Sequence, residues 1–502
     1  MVLDCAKNKH ALHHVGKAAT SQLYQGIDGP ASKLKEYRLA ETPDEEPTIP
    51  NPDIFKFEES SSSTLSSSSS TLRDSSSSSQ SNAFRFPLSS ECAAHLELLE
   101  VFFVLRQRIL RSVDIDHAMG IAPVRETKTG HNGDTKTFKD TKLWERRQDK
   151  WPKFLEFAVV RFLEWRNTMM HGRPQDEHSY LPPLDVIMVW HSFMLNPRLF
   201  QEYCVGTTLY KIRMPWKKIH EFINNRDWNF NYHADAARSF ETSTGLAPDL
   251  FQEFSTWARG GVGPDEPEEA DGDAEPPVPL VSLAVYKLEG EMEIPPVLDS
   301  LKPTHPARKY MSCFQAADKD LAIQLRDAVI RQTAFVDKMN AHMWIRSPGL
   351  AGTLRRGIER YDKFLKLLKL YPSTTIVPTL DIDLAWHTHQ CSAVMYAKGM
   401  KDHVGRFINH DDSIVQGKLD VGFAQSRRYF RIHFGQEYRL CGCWDCEALL
   451  CEMEDAVAAA AGEEDGKLDM SAIAKRVDEQ VMYYRLVEVA RRKKQALPIR
   501  TT

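Results

Sequence analysis

No run of apolar residues in this chain approaches the roughly 18 that a membrane-spanning helix needs. Runs such as Val101–Leu105 and Val186–Trp190 fall far short of that length. From Met1 to Ala19 histidines and lysines are scattered without an apolar stretch, so a secretory leader is not expected. An excess of basic charge is missing too. A net charge of −5 over 502 residues lacks the basic field of a general nucleic-acid binder. Nine cysteines, an odd number with no leader ahead of them, read as reduced thiols. That places the protein in the cytosol, with the nucleus as the second choice. What is present in quantity is core material: 42% hydrophobic residues and ten tryptophans can fill well-packed interiors.

Residues 1–85 are expected to be a disordered leader, because serine dominates Ser60 to Ser81 and such a tract cannot offset its ordering entropy. Order is expected from Ser89-Ser90, where Leu98, Phe102, Leu105 and Ile109 recur at helical spacing. Phe154, Ala158 and Phe162 run beside Leu155, Val159 and Leu163, giving a second helix with one broad apolar face. Residues 259–279 hold glycine, proline and acids without periodicity and read as a linker. Beyond it, helices are expected around Leu321–Ala328, around Leu354–Leu368 and over Ser471–Lys494. The short run Val281–Leu288 has strand character.

One echo organises the rest. Pro182-Pro183-Leu184-Asp185…Trp190-His191-Ser192-Phe193 and Pro378-Thr379-Leu380-Asp381…Trp386-His387-Thr388-His389 match in register 196 positions apart. A spacing this long points to a duplicated module rather than a solenoid, whose period is roughly 20–50 residues. The expected architecture is mainly α: two related helical domains at 86–258 and 280–454 from an internal duplication, then a helical tail at 455–502. Asp185 and Asp381 are expected to cap the start of each Trp-His helix. The tryptophans and histidines shared by both copies read as architecture.

The differences between the copies carry the chemistry. Asp383 stands where the first copy has Ile187, and His389 where it has Phe193. Asp383 and His387 share a helix face, whereas His389 lies about 200° round a helix from His387 and could join it only if the helix unwound. His410-Asp411-Asp412 follows. Asp383, His387, His389 and His410 are therefore the candidate ligands for zinc or iron. Their alternative is ordinary: a helix-terminus charge, a surface imidazole and a loop cap. A second candidate is Cys441, Cys443, Cys446 and Cys451, four cysteines within eleven residues. Cys443-x2-Cys446 is one half of a zinc knuckle, to be completed by Cys391, His403 or His433; otherwise these are small buried residues beside Trp444.

At these segments the chain resembles the glycine-rich domain-containing protein-like family of plants, fungi and bacteria. The resemblance rests on Leu184-Asp185-Val186…Trp190-His191 with Leu195-Asn196-Pro197, and on Asp381-Ile382-Asp383-Leu384-Ala385-Trp386-His387-Thr388-His389-Gln390. Tyr396, Gly405…Ile408-Asn409-His410-Asp411-Asp412 and Tyr438…Cys441-Gly442-Cys443-Trp444-Asp445-Cys446-Glu447 add to it. It covers residues 90 to 450. The family brings no established enzymology. Its plant members, linked to stress responses, add a glycine-rich tail and an RNA-binding region. With 25 glycines and no such tail, an RNA role is not what this chain implies; its length and serine-rich leader resemble those of the fungal members.

The leading expectation is an interaction or scaffold protein with protein partners and no membrane association. A metal-dependent enzyme, oxygenase-like as the labels of some fungal relatives imply, is the alternative from a different class. An RNA-associated stress protein is the third, disfavoured by charge and by the lack of an aromatic-basic strand.

Overall fold

The computed structural model describes residues 37–57, 85–124, 126–129, 135–138, 140–171, 181–258, 283–292, 294–301, 305–460 and 468–501. The serine tract and the acidic linker lie outside these residues. The described chain is mainly helical, as expected. Its helices of eight residues or more are α1 (Ser89–Arg111), α2 (Lys150–His171), α3 (Leu184–Met194), α4 (Pro197–Cys204), α5 (Ala234–Thr244), α6 (Leu250–Ala258) and α7 (Pro306–Ala316). They continue with α8 (Lys319–His342), α9 (Leu350–Leu370), α10 (Leu380–Gln390), α11 (Ala393–Val404), α12 (Gln416–Phe434), α13 (Trp444–Ala460) and α14 (Met470–Arg492). Among the described residues strands form three antiparallel pairs: β1 (Tyr37–Leu39) with β6 (Pro498–Arg500), β2 (Glu126–Thr129) with β3 (Thr135–Phe138), and β4 (Ile223–Asn224) with β5 (Asn229–Phe230). Within the run that had strand character, Leu283–Val285 forms a 3₁₀ turn.

Contacts group the chain into two compact units. The N-proximal unit holds residues 97–340 with 410–413; the C-proximal unit holds 1–96, 341–409 and 414–502. This differs from a split at the acidic linker. The reason is α7: its Tyr310 hydroxyl meets Arg161 of α2 at 3.1 Å and donates to Glu253 of α6 at 2.5 Å, so residues after the linker complete the first core. Phe157 of α2 sits at the centre of that core, with Phe254, Tyr286, Tyr310 and Phe314 rings 4.8 to 5.1 Å away.

In the C-proximal unit, α9 buries Leu354, Tyr361, Leu365 and Leu368 on one stripe, and α10 lies against it. Gly357 permits the close approach, since a Cβ there would sit 3.1 Å from the Asp381 carbonyl. Part of the expected leader belongs to this unit. Tyr37–Leu39 pairs with Pro498–Arg500, and Ile49 packs with Val487, Ala490 and Leu497. Its carbonyl accepts from the buried Arg346 guanidinium at 2.7 Å.

Candidate functional site

Each unit contains a helix pair joined by the same contacts. In the N-proximal unit Arg161 of α2 donates from Nε to Asp185 Oδ2 at 2.6 Å, and from Nη1 to the Ala247 carbonyl at 2.7 Å. Its guanidinium lies over the Phe240 ring at 5.1 Å. In the C-proximal unit Arg360 of α9 donates from Nε to Asp381 Oδ2 at 2.6 Å, and from Nη1 to the Glu437 carbonyl at 3.4 Å. It lies over Phe430 at 5.2 Å. The aspartates are therefore not caps. The residues flanking the starts of α3 and α10, Pro183 and Thr379, make no side-chain cap bond, and each carboxylate is taken by the arginine. Burial works most strongly against the Arg161 charge, and the attractions of Asp185, Tyr310 and Glu253 together more than offset it, so the guanidinium holds its proton more firmly than in water.

The rings match as well. Phe162–Phe193 and Tyr361–His389 are each 5.9 Å apart and edge-on. Trp165–Trp190 and Phe364–Trp386 stand 5.4 and 5.3 Å apart at 52° and 51°. Phe193–Phe200 and His389–Tyr396 follow at 4.9 and 5.2 Å. What differs is polarity. Three phenylalanines in one unit are Tyr361, His389 and Tyr396 in the other. The Tyr361 hydroxyl lies 3.0 Å from His389 Nδ1. Trp386 Nε1 donates to the Tyr396 hydroxyl at 2.9 Å, and that hydroxyl donates to the Ile408 carbonyl at 2.9 Å. Trp190 Nε1 is buried with no acceptor among the described residues, because Phe200 has no hydroxyl to offer.

This places the candidate ligands. Asp383 Oδ1 and His387 Nε2 come together at 3.3 Å, one turn apart. His389 does not join them: α10 stays helical to Gln390, and the ring turns to Tyr361 in the core. Burial drives its pKa down to about 3, and that of His191 likewise, so both rings are neutral. His410 belongs to the N-proximal unit, with Nδ1 3.0 Å from the Leu195 carbonyl, and Asp412 beside it accepts from Arg331 and Gln332.

Among the cysteines, Cys441, Cys443 and Cys446 converge, with all three sulfurs within 4.8 Å of one another. The Cys441 thiol, bonded to that of Cys443 at 3.3 Å, pushes the Cys443 pKa up to about 12. Cys451 lies apart. Its sulfur takes Arg356 at 3.7 Å and lies 3.4 Å from the Gly349 carbonyl. Cys391, His403 and His433 do not complete the cluster. Cys391 is buried at the end of α10, His403 faces Asp362 at 3.1 Å, and His433 Nε2 lies 2.7 Å from the Tyr371 hydroxyl.

The profile of the family described as glycine-rich domain-containing protein-like matches residues 300–399, from the approach to α7 into α11. Over this segment the chain is similar to that family. Among curated relatives, it is 26% identical to Glycine-rich domain-containing protein 1 of Arabidopsis thaliana over 270 residues, 52% of this chain and 26% of the relative. It is 37% identical to Glycine-rich domain-containing protein 2 of the same plant over 93 residues, 17% of this chain and 12% of the relative. The matches thus span about a quarter or less of those relatives. No solved structure matches. The family segment carries α9, the Asp383–His387 pair and the Tyr361–His389 contact, and stops short of the cysteine cluster.

Arg161, Arg360 and Tyr361 of this frame were not singled out by the sequence. Arg161 and Arg360 precede their aspartates by different intervals, so an ungapped comparison does not align them. Tyr361 read only as one member of an apolar helix face. His95 is another: buried in α1, its Nδ1 lies 2.8 Å from the Thr388 hydroxyl of α10.

Proposed function

We propose that the protein is an interaction protein of the cytoplasm, built from two copies of one helical module and working through its surfaces on protein partners. The observation carrying this reading is the burial of the Trp-His helix. α3 is buried from Asp185 to Met194, and α10 from Leu384 to Gln390. A motif packed this fully serves architecture, which leaves function to the outer faces. The duplication is supported by the recurrence of the Arg–Asp contact, the arginine-over-phenylalanine contact and the three ring pairs. One cleft of the N-proximal unit, lined by Arg108, Trp228 and Asp249, holds about 80 Å³. Small-molecule sites run from about 300 Å³ upward.

A second reading has one observation in its favour. Asp383 and His387 are a carboxylate–imidazole pair that iron or zinc could use. In-cell crosslinking of the full chain with mass spectrometry tests the first reading. One reproducible set of protein partners, unchanged by Asp383→Asn, is expected. Iron-dependent turnover of 2-oxoglutarate by the purified chain, abolished by Asp383→Asn, would overturn it in favour of the second.

A further inference from the structure

We propose that Cys441, Cys443 and Cys446 hold one zinc ion as thiolates, with the fourth position open to water or to a ligand from a partner protein. The distances fit. A tetrahedral ion with zinc–sulfur bonds of about 2.3 Å sets its sulfurs about 3.8 Å apart. The three sulfurs here have a 3.3 Å pair and lie within 4.8 Å of one another, so sub-ångström side-chain shifts close the site.

The backbone between the ligands is held in place by side chains anchored in the core of the C-proximal unit. The Gly442 carbonyl accepts from Trp344 Nε1 at 2.8 Å and lies 3.3 Å from His342 Nδ1. Trp444 Nε1 donates to the His342 carbonyl at 3.0 Å. Position 442 must be glycine, because a Cβ there would fall 2.9 Å from the Trp344 ring and 3.2 Å from His342. Two indoles and an imidazole therefore fix a Cys-Gly-Cys turn at the head of α13. Cys446 is in that helix's first turn, where the positive end of the macrodipole favours thiolates. All three cysteines are half-buried, which leaves a route for an ion. Three adjacent thiols serving only as small hydrophobes would be expected deeper, as Cys92, Cys204 and Cys391 are.

The site has a structural consequence. The carbonyls of Glu437 and Tyr438, which accept from Arg360, lie a few residues before Cys441. An ion joining Cys441 and Cys443 to Cys446 ties the segment holding those carbonyls to α13. In the N-proximal unit the chain runs from Ala247 into α6 with no cysteine, so the clip belongs to one unit only.

The test uses the full chain, purified under reducing conditions. One equivalent of zinc by elemental analysis is expected. Replacement by Co²⁺ should give thiolate-to-cobalt charge transfer and the intense visible bands of a tetrahedral site. Cys441→Ser, Cys443→Ser and Cys446→Ser should each abolish the cobalt spectrum, while Cys451→Ser keeps it. A wild-type chain that takes up neither ion overturns the proposal, whatever the variants do. So does a full spectrum in Cys443→Ser or Cys446→Ser, and so does its loss in a folded Cys451→Ser chain, which would mean a different ligand set. A metal-free chain whose peptides map a Cys441–Cys443 disulfide would assign the turn to redox chemistry instead.

Discussion

Arg161 and Asp185 meet with neither side chain more than 5% exposed, while Arg360 and Asp381 make the same contact with 7% and 17% exposed. The same bond thus sits in two dielectric settings. Removing one partner of a fully buried pair leaves an uncompensated charge and costs about 3–5 kcal/mol. Asp185→Ala is expected to cost about 3 kcal/mol, at the lower end, because Glu253 stays 3.9 Å from the guanidinium and the Ala247 carbonyl still accepts from it. Asp381→Ala should cost about 2 kcal/mol, because water reaches the cavity and the Glu437 and Tyr438 carbonyls still hold the guanidinium. Urea unfolding of both variants checks the order, and equal losses would mean that exposure does not distinguish the two contacts.

Trp190 and Trp386 differ by one hydrogen bond. Phe200→Tyr places a hydroxyl where Tyr396 has one, giving the Trp190 indole an acceptor. The gain expected is about 0.5–1.5 kcal/mol. The reverse change, Tyr396→Phe, strands the Trp386 Nε1 and should cost about 1–3 kcal/mol. Melting temperatures should move in opposite directions. A fall in both would show that the N-proximal core has no room for the oxygen.

The Trp-His echo was legible because nothing is inserted between Pro182 and Phe200 relative to Pro378 and Tyr396. On either side the spacing changes. Arg161 and Arg360 are 199 positions apart, and Gly245 and Gly435, which end α5 and α12 in left-handed backbone, are 190 apart. Loops of different length hid the arginines from a fixed-offset comparison, although helix periodicity placed α2 and α9 correctly. The aspartates were misread for a related reason. An acid near a helix start has two physical uses, and only the partner, more than 20 residues upstream, decides between capping and ion pairing. His389 looked like a ligand because polarity is visible in sequence and burial is not.

The leader offers a third test. Ile49 covers Val487, Ala490 and Leu497, and its carbonyl is a partner of the Arg346 guanidinium, itself only 2% exposed. Deleting residues 1–57 removes that acceptor and the strand paired with β6. A loss of about 2 kcal/mol is expected, from a lost acceptor of the buried guanidinium, which keeps Glu488 at 3.6 Å, plus uncovered apolar surface. Differential scanning calorimetry of the truncated chain checks this, and an unchanged melting temperature would mean that the 37–57 segment adds nothing to the fold.

The Tyr361–His389 contact supports the sharpest prediction. Phe162 and Phe193 fill the same places in the N-proximal unit with no polar atom, so Tyr361→Phe with His389→Phe copies a packing this chain already uses. His389→Phe alone leaves the Tyr361 hydroxyl in the core without the imidazole and should cost about 1–3 kcal/mol at neutral pH. The double variant should recover most of that, because removing both polar partners together is nearly neutral. Acid adds a second signature. Burial holds the folded pKa of His389 near 3, whereas the unfolded ring titrates near 6.5. The neutral ring's contribution is therefore complete above pH 6.5 and is lost as pH falls toward 3, by about 1.4 kcal/mol per unit. A chain with phenylalanine at 389 has no such term, so its deficit against wild type should shrink between pH 7 and pH 5. Urea unfolding of the wild type, Tyr361→Phe, His389→Phe and the double variant at both pH values measures the coupling and its pH dependence. A deficit that stays constant with pH would show that His389 is not a buried neutral ring, and a double variant no better than the single would show that its bond to Tyr361 is not what holds it there.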